Sequence, residues 1–165
     1  MSTSAVLLAA ALVLTGSDEP GVPFVIRGVV RGPDGTAVPG ASLHVFHTDS
    51  RGWYTPTKVM DEPHARLAGS VSTDAEGRFE IRTIRPGSYP ATAETHEDRR
   101  IPQHVHFEIS AAGFAFRRFQ LVFTDDPRMT PYWHEWARRG RNPLVPVERH
   151  EDGSQSCEVE IVLVR

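Results

Sequence analysis

The sequence predicts an all-β domain, a β-sandwich of mostly antiparallel strands with long loops and one short C-terminal helix. Three observations carry that prediction. Thirteen glycines and thirteen prolines in 165 residues punctuate the chain too often for long helices. Between them, short apolar runs with period-two alternation recur from Phe24 onward, at the spacing of all-β domains. The chain is 39% hydrophobic and 24% charged, which is enough to bury one core at this length.

The elements follow in chain order. Ser4 to Leu14 is an apolar stretch too short to span a bilayer, followed by the small residues Thr15-Gly16-Ser17. It reads either as the apolar part of a signal peptide, although Met1–Ser4 lacks Lys and Arg, or as an arm docking on the core. Residues 1–20 are therefore set apart from a domain over 21–165, and export and a cytoplasmic location both stay open. Phe24–Val30 is a strand, and Gly32-Pro33-Asp34-Gly35 a turn. Ala41–His47 follows, with Ala41, Leu43 and Val45 on one face. Thr73–Gly77 turns the chain into Arg78–Arg82, where Phe79 and Ile81 alternate with charged residues as in a half-buried strand. His104–Ile109, Phe119–Phe123 and Glu158–Val164 repeat the habit. The helix begins after Thr130 with Pro131 at its first position, ends near Gly140, and docks through Trp133 and Trp136.

Composition narrows the chemistry. A formal charge of −3 and the lack of a basic run argue against a nucleic-acid partner. A single cysteine, Cys157, excludes an internal disulfide, a Cys-based zinc site and an iron–sulfur cluster. Eight histidines are the alternative source of metal ligands. His104 and His106 stand two apart in a strand, so both project to one face while Val105, Phe107 and Ile109 face the core. They serve either as solvated polar groups or as donors to one metal ion. Tyr54 ends a turn after a strand, and Tyr89 sits in Pro86-Gly87-Ser88-Tyr89-Pro90. Each is either a turn-edge residue with its hydroxyl on backbone or a hard phenolate donor suited to ferric iron. His44 and His47 fall on opposite faces of one strand, His64, His96 and His150 in loops, and His134 on the helix. All six read as surface residues, with His64 and the 91–100 loop able to line a substrate mouth.

These segments together resemble the intradiol ring-cleavage dioxygenases, the protocatechuate and catechol dioxygenase family. RGVVRGPDGTAVPGASLHVFHTDSRGWY leads to Tyr54, GSVSTDAEGRFEIRTIRPGSYP to Tyr89, and PQHVHFEI holds His104 and His106; FQLVF and TDDP resemble the closing strand. The resemblance implies one mononuclear non-haem Fe(III) held by Tyr54, Tyr89, His104 and His106, with Tyr89 and His106 axial. It implies a catechol-type substrate and O2 as partners, a cis,cis-muconate-type diacid as product, and Tyr89 released as a base when substrate binds. Two more positions are catalytic candidates by resemblance. The family carries an Arg three residues before its first His; here that position is Ile101, and Arg100 stands one place further back, as a replacement or as a solvated charge. Gln120 matches a family Gln near the reacting ring, or is a solvent-facing strand residue. Lacking a helical N-terminal region like that of the dedicated catechol enzymes, the chain leans toward a protocatechuate-like or broad-specificity relative, with Lys58, Arg99 and Arg100 as candidate partners for a ring carboxylate. Homo-oligomers are common in the family. The same Gly and Pro pattern also occurs in non-catalytic carboxypeptidase-regulatory-like sandwiches, so a binding module is the competing expectation.

Overall fold

The computed structural model describes residues 10–90 and 100–165. In chain order its elements are β1 (Ala10–Val13), β2 (Pro23–Arg31), β3 (Ser42–His47), β4 (Leu67–Ser72), β5 (Arg78–Ile84), β6 (His104–Ser110), β7 (Arg117–Phe123), α1 (Pro131–Arg139), β8 (Leu144–Val145), β9 (Glu148–Arg149) and β10 (Gln155–Val162). They form two five-stranded sheets, ordered β1-β5-β2-β10-β9 and β4-β3-β6-β7-β8. Five pairings are antiparallel; β1 with β5, β2 with β10 and β7 with β8 run parallel. The fold is the β-sandwich that the alternation implies.

The core lies between the sheets. Phe24, Ile26, Phe79, Ile81 and Ile161 come from one sheet, and Leu43, Val45, Val105, Phe107, Ile109 and Leu121 from the other. Phe107 stacks on Phe119 with centroids 5.1 Å apart and meets Phe79 across the gap at 6.1 Å. Each such side chain, fully withdrawn from water, contributes about 2 kcal/mol. A half-buried cation closes one end: Arg85 pairs with Asp125 at 2.7 Å and lies over the Phe123 ring at 4.5 Å.

Residues 10–13, inside the N-terminal apolar stretch, form a strand parallel to β5. Several details differ from the sequence expectation. The strand β4 has no alternating apolar pattern of its own and is recruited by pairing with β3. The helix has Pro131 at its start and Gly140 after its last turn, but it is Arg141 that takes the left-handed backbone, with φ 51°. Trp133 is buried and its ring meets Trp136 at 5.3 Å. His47 is not a surface residue. It is 1% exposed, donates from Nδ1 to the Thr48 carbonyl at 2.6 Å and accepts at Nε2 from Thr83 at 2.7 Å. Among the described residues no helix is long and apolar enough to cross a membrane.

Candidate metal centre

The outer face of the second sheet carries the site. Period-two alternation turns Val105, Phe107 and Ile109 inward and leaves His104 and His106 side by side on the other face. The loop from β3 to β4 lays Tyr54 across them, and the segment after β5 brings Tyr89. Tyr54, His104 and His106 are 2%, 3% and 1% exposed, whereas Tyr89 is only half-buried.

Backbone close approach fixes the two tyrosines relative to each other. The turn before Tyr54 is closed by Asp49, whose carboxylate accepts from the Arg51 and Trp53 amides at 2.9 and 3.1 Å. Gly52 in that turn has φ 92°, and a Cβ there would stand 2.0 Å from the Ser88 carbonyl oxygen, immediately before Tyr89. Reciprocally, a Cβ on Gly87 would stand 2.4 Å from the Gly52 nitrogen. Gly87 N donates to the Asp49 carbonyl at 2.8 Å and Thr48 Oγ1 to the Gly87 carbonyl at 2.9 Å. Only glycine permits this contact. Asp126, from the TDDP segment, accepts from the Gln103 amide at 2.6 Å and so anchors the start of β6.

Four donor atoms converge. Tyr54 Oη lies 2.8 Å from His106 Nε2 and also contacts Tyr89 Oη; His104 Nε2 lies 3.2 Å from His106 Nε2 and 3.3 Å from Tyr89 Oη. His104 Nδ1 donates to the Pro102 carbonyl at 2.7 Å, which leaves the Nε2 lone pair facing the cluster. The His106 ring stacks on Phe46 at 4.4 Å, and its Nδ1 is buried without a hydrogen-bond partner. Burial pushes the His104 imidazole down to about 4 and that of His106 to about 3, so both are neutral lone-pair donors at pH 7. Burial likewise raises both phenols above their ordinary value, with further upward pushes on Tyr54 from Tyr89 and on Tyr89 from Glu62. A multivalent cation bound beside them would displace their protons and make phenolates of them.

The donor set fits a metal ion. Cis donors each about 2.1 Å from a first-row ion stand about 3 Å apart, close to the separations found here. Two anionic oxygen donors and two imidazoles suit a hard, highly charged ion such as Fe(III).

All four expected ligands are therefore brought together. Gln120 joins them: it pairs with His106 across β6 and β7, half-buried on the same face, its backbone N–H donating to Asn142 Oδ1 at 2.8 Å. Arg100 sends a guanidinium nitrogen to the Tyr89 carbonyl at 3.4 Å. Lys58 is exposed on a left-handed turn residue; Arg99 and His96 lie outside the described residues. His64 points to solvent and pairs with Asp61 at 2.9 Å, while Glu62, on the same short 3-10 helix (Glu62–His64), faces the donors. The sequence reading missed Glu62 and Phe46. Phe46 was legible from strand parity, because it alternates with the core residues Leu43 and Val45 and so falls on the outer face.

Fold and site together define a sandwich with a cluster of two tyrosine and two histidine donors on one outer sheet face. Residues 4–163 match the family described as Dioxygenase. Catechol 1,2-dioxygenase 1 of Acinetobacter lwoffii is 32% identical over 148 residues, covering 82% of this chain and 46% of that protein. The protocatechuate 3,4-dioxygenase beta chain of Burkholderia cepacia is 32% identical over 159 residues, covering 88% and 66%. The solved dioxygenase domain of a dioxygenase–carbohydrate-binding protein fusion from Streptomyces sp. SirexAA-E superposes with a TM-score of 0.69 at 27% identity, covering 92% of this chain and 85% of that one. The chain belongs to the intradiol ring-cleavage dioxygenase family. It spans about half the length of the catechol dioxygenases it matches.

Proposed function

We propose that this chain is a non-haem Fe(III)-dependent intradiol dioxygenase that inserts both atoms of O2 into a catechol-type ring between its two hydroxylated carbons, giving a cis,cis-muconate-type diacid. The observation that carries the proposal is the convergence of Tyr54, Tyr89, His104 and His106. When bound, the metal supplies Lewis acidity toward the catechol oxygens.

The chain's own residues divide the remaining work. Tyr54, His104 and His106 are buried and braced by Phe46 and the Pro102 carbonyl, so they hold position. Tyr89 is half-buried, and its loop neighbour Pro90 stiffens the backbone around it. It is the donor free to leave and to take a proton from an incoming catechol hydroxyl, which is general-base work. Gln120 offers an amide beside His106 to orient the ring. Arg100, fixed against the Tyr89 carbonyl, is the described cation closest in sequence to the position the family fills with Arg, and it balances negative charge developing on the ring.

The test is O2 uptake by iron-loaded protein with catechol, together with the mass of the product. Stoichiometric uptake with a diacid carrying two added oxygen atoms is expected. Full iron loading with neither uptake nor ring opening would overturn the proposal and leave a sandwich module with an inert iron site.

A further inference from the structure

The mouth of the donor cluster is acidic. Glu62 Oε1 accepts from Tyr89 Oη at 3.3 Å and stands 3.7 Å from His106 Nε2. Its second oxygen is held by Arg118 Nη2 at 3.2 Å. Arg118 is itself shared, with Nε 3.5 Å from Glu108 Oε1 across the β6–β7 pairing. Two carboxylates thus lie on one guanidinium, and the nearer one touches the donors.

Resting on the dioxygenase reading above, we propose that Glu62 is a specificity-determining residue. It restricts the site to catechols with no anionic substituent on the ring, so that neutral or cationic ring substituents are accepted and a ring carboxylate is rejected. A ring whose two oxygens arrive where Tyr89 Oη and His106 Nε2 converge places its substituents within a ring's width of Glu62. Two like charges about 6 Å apart at an effective dielectric of about 20 shift an equilibrium by about a hundredfold. Arg118 and, from the Tyr89 carbonyl, Arg100 return part of this, but Glu108 already shares the charge of Arg118, and a preference of about tenfold remains. This runs against the carboxylated-ring expectation of the sequence. Of its candidate cations, Arg100 engages the Tyr89 carbonyl and Lys58 is exposed.

The test is anaerobic equilibrium titration of iron-loaded protein, followed by visible absorption, with catechol, 3,4-dihydroxybenzoate and 4-(2-aminoethyl)catechol. Wild type is compared with Glu62→Gln and Arg118→Gln, each first checked for iron content and circular dichroism. In wild type, 3,4-dihydroxybenzoate should bind about tenfold more weakly than catechol, and the aminoethyl ring at least as tightly as catechol. Glu62→Gln should close the gap and Arg118→Gln should widen it, so the two variants move the Kd ratio in opposite directions. Equal wild-type affinities for catechol and the carboxylated ring would overturn the inference while leaving the dioxygenase reading standing. So would a gap left unchanged in Glu62→Gln, because the Glu62 carboxylate would then take no part in the selection. Binding of no catechol by fully iron-loaded protein would overturn the dioxygenase reading and this inference with it.

Discussion

Replacing Gly52 with alanine should damage stability and metal binding together, because one backbone contact joins the two tyrosine-bearing segments. Gly52 has φ 92°, and its new Cβ would stand 2.0 Å from the Ser88 oxygen and 3.0 Å from the Ser88 carbonyl carbon. A relaxed contact of this kind needs more than about 3 Å, so the Tyr54 turn and the Tyr89 segment must separate by about 1 Å. The left-handed backbone costs an alanine about 1–2 kcal/mol, and the forced separation about 1–3 kcal/mol more. Gly35→Ala is the control: φ there is 82°, but nothing lies within 4 Å of its Cβ, so only the backbone cost applies. Urea unfolding of the metal-free proteins should place Gly52→Ala below Gly35→Ala by about 1–3 kcal/mol. Iron titration should show at least about tenfold weaker binding in Gly52→Ala alone, as when a ligand's supporting contacts are removed. Equal stability and equal iron affinity in the two variants would refute the idea that this close approach sets the spacing of the tyrosines.

The remaining predictions concern the donors and the buried imidazole. His104→Ala and His106→Ala should each lose most bound iron; normal iron content in either would remove that residue from the ligand set. Tyr89→Phe should retain some iron but bind catechol slowly, and wild-type binding kinetics would exclude Tyr89 as the donor that leaves. His47 is buried and neutral, its imidazole pushed down to about 4 by burial, against about 6.5 in an unfolded chain. The unfolded chain therefore takes up the proton first as pH falls. The contribution of His47 is whole above about pH 6.5, is lost progressively down to about pH 4 at about 1.4 kcal/mol per pH unit, and is flat below. Across that window the loss is about 3 kcal/mol, and His47→Gln should lower the slope of stability against pH by one proton; an unchanged slope would contradict the assignment.

What the sequence makes legible is what alternation encodes. Arg78–Ile84 and His104–Ser110 announce their inner faces residue by residue, and those residues are the core. Alternation also places His104 and His106 on one outer face, and the family motif brings in Tyr54 and Tyr89. Parity carried information about His47 too, since it shares the face of Leu43 and Val45, and burial follows. Other features leave no local trace. The strand β4, LAGSVS, is mostly small residues and becomes a strand through its neighbour. The parallel pairing of β10 with β2 joins opposite ends of the chain. A glycine forced by another segment's backbone, as at Gly52 and Gly87, looks in sequence like any turn glycine. Glu62 sits on a single 3-10 turn with no periodicity to announce it, and only the fold carries it to the donors.

Whether Tyr54, Tyr89, His104 and His106 hold one ferric ion is decided by visible absorption during titration of the purified chain with Fe(III). A tyrosinate-to-iron charge-transfer band should appear, saturate at one iron per chain and shift when catechol is added. A colourless protein with iron well below one per chain, unaltered by catechol, would show that these four do not.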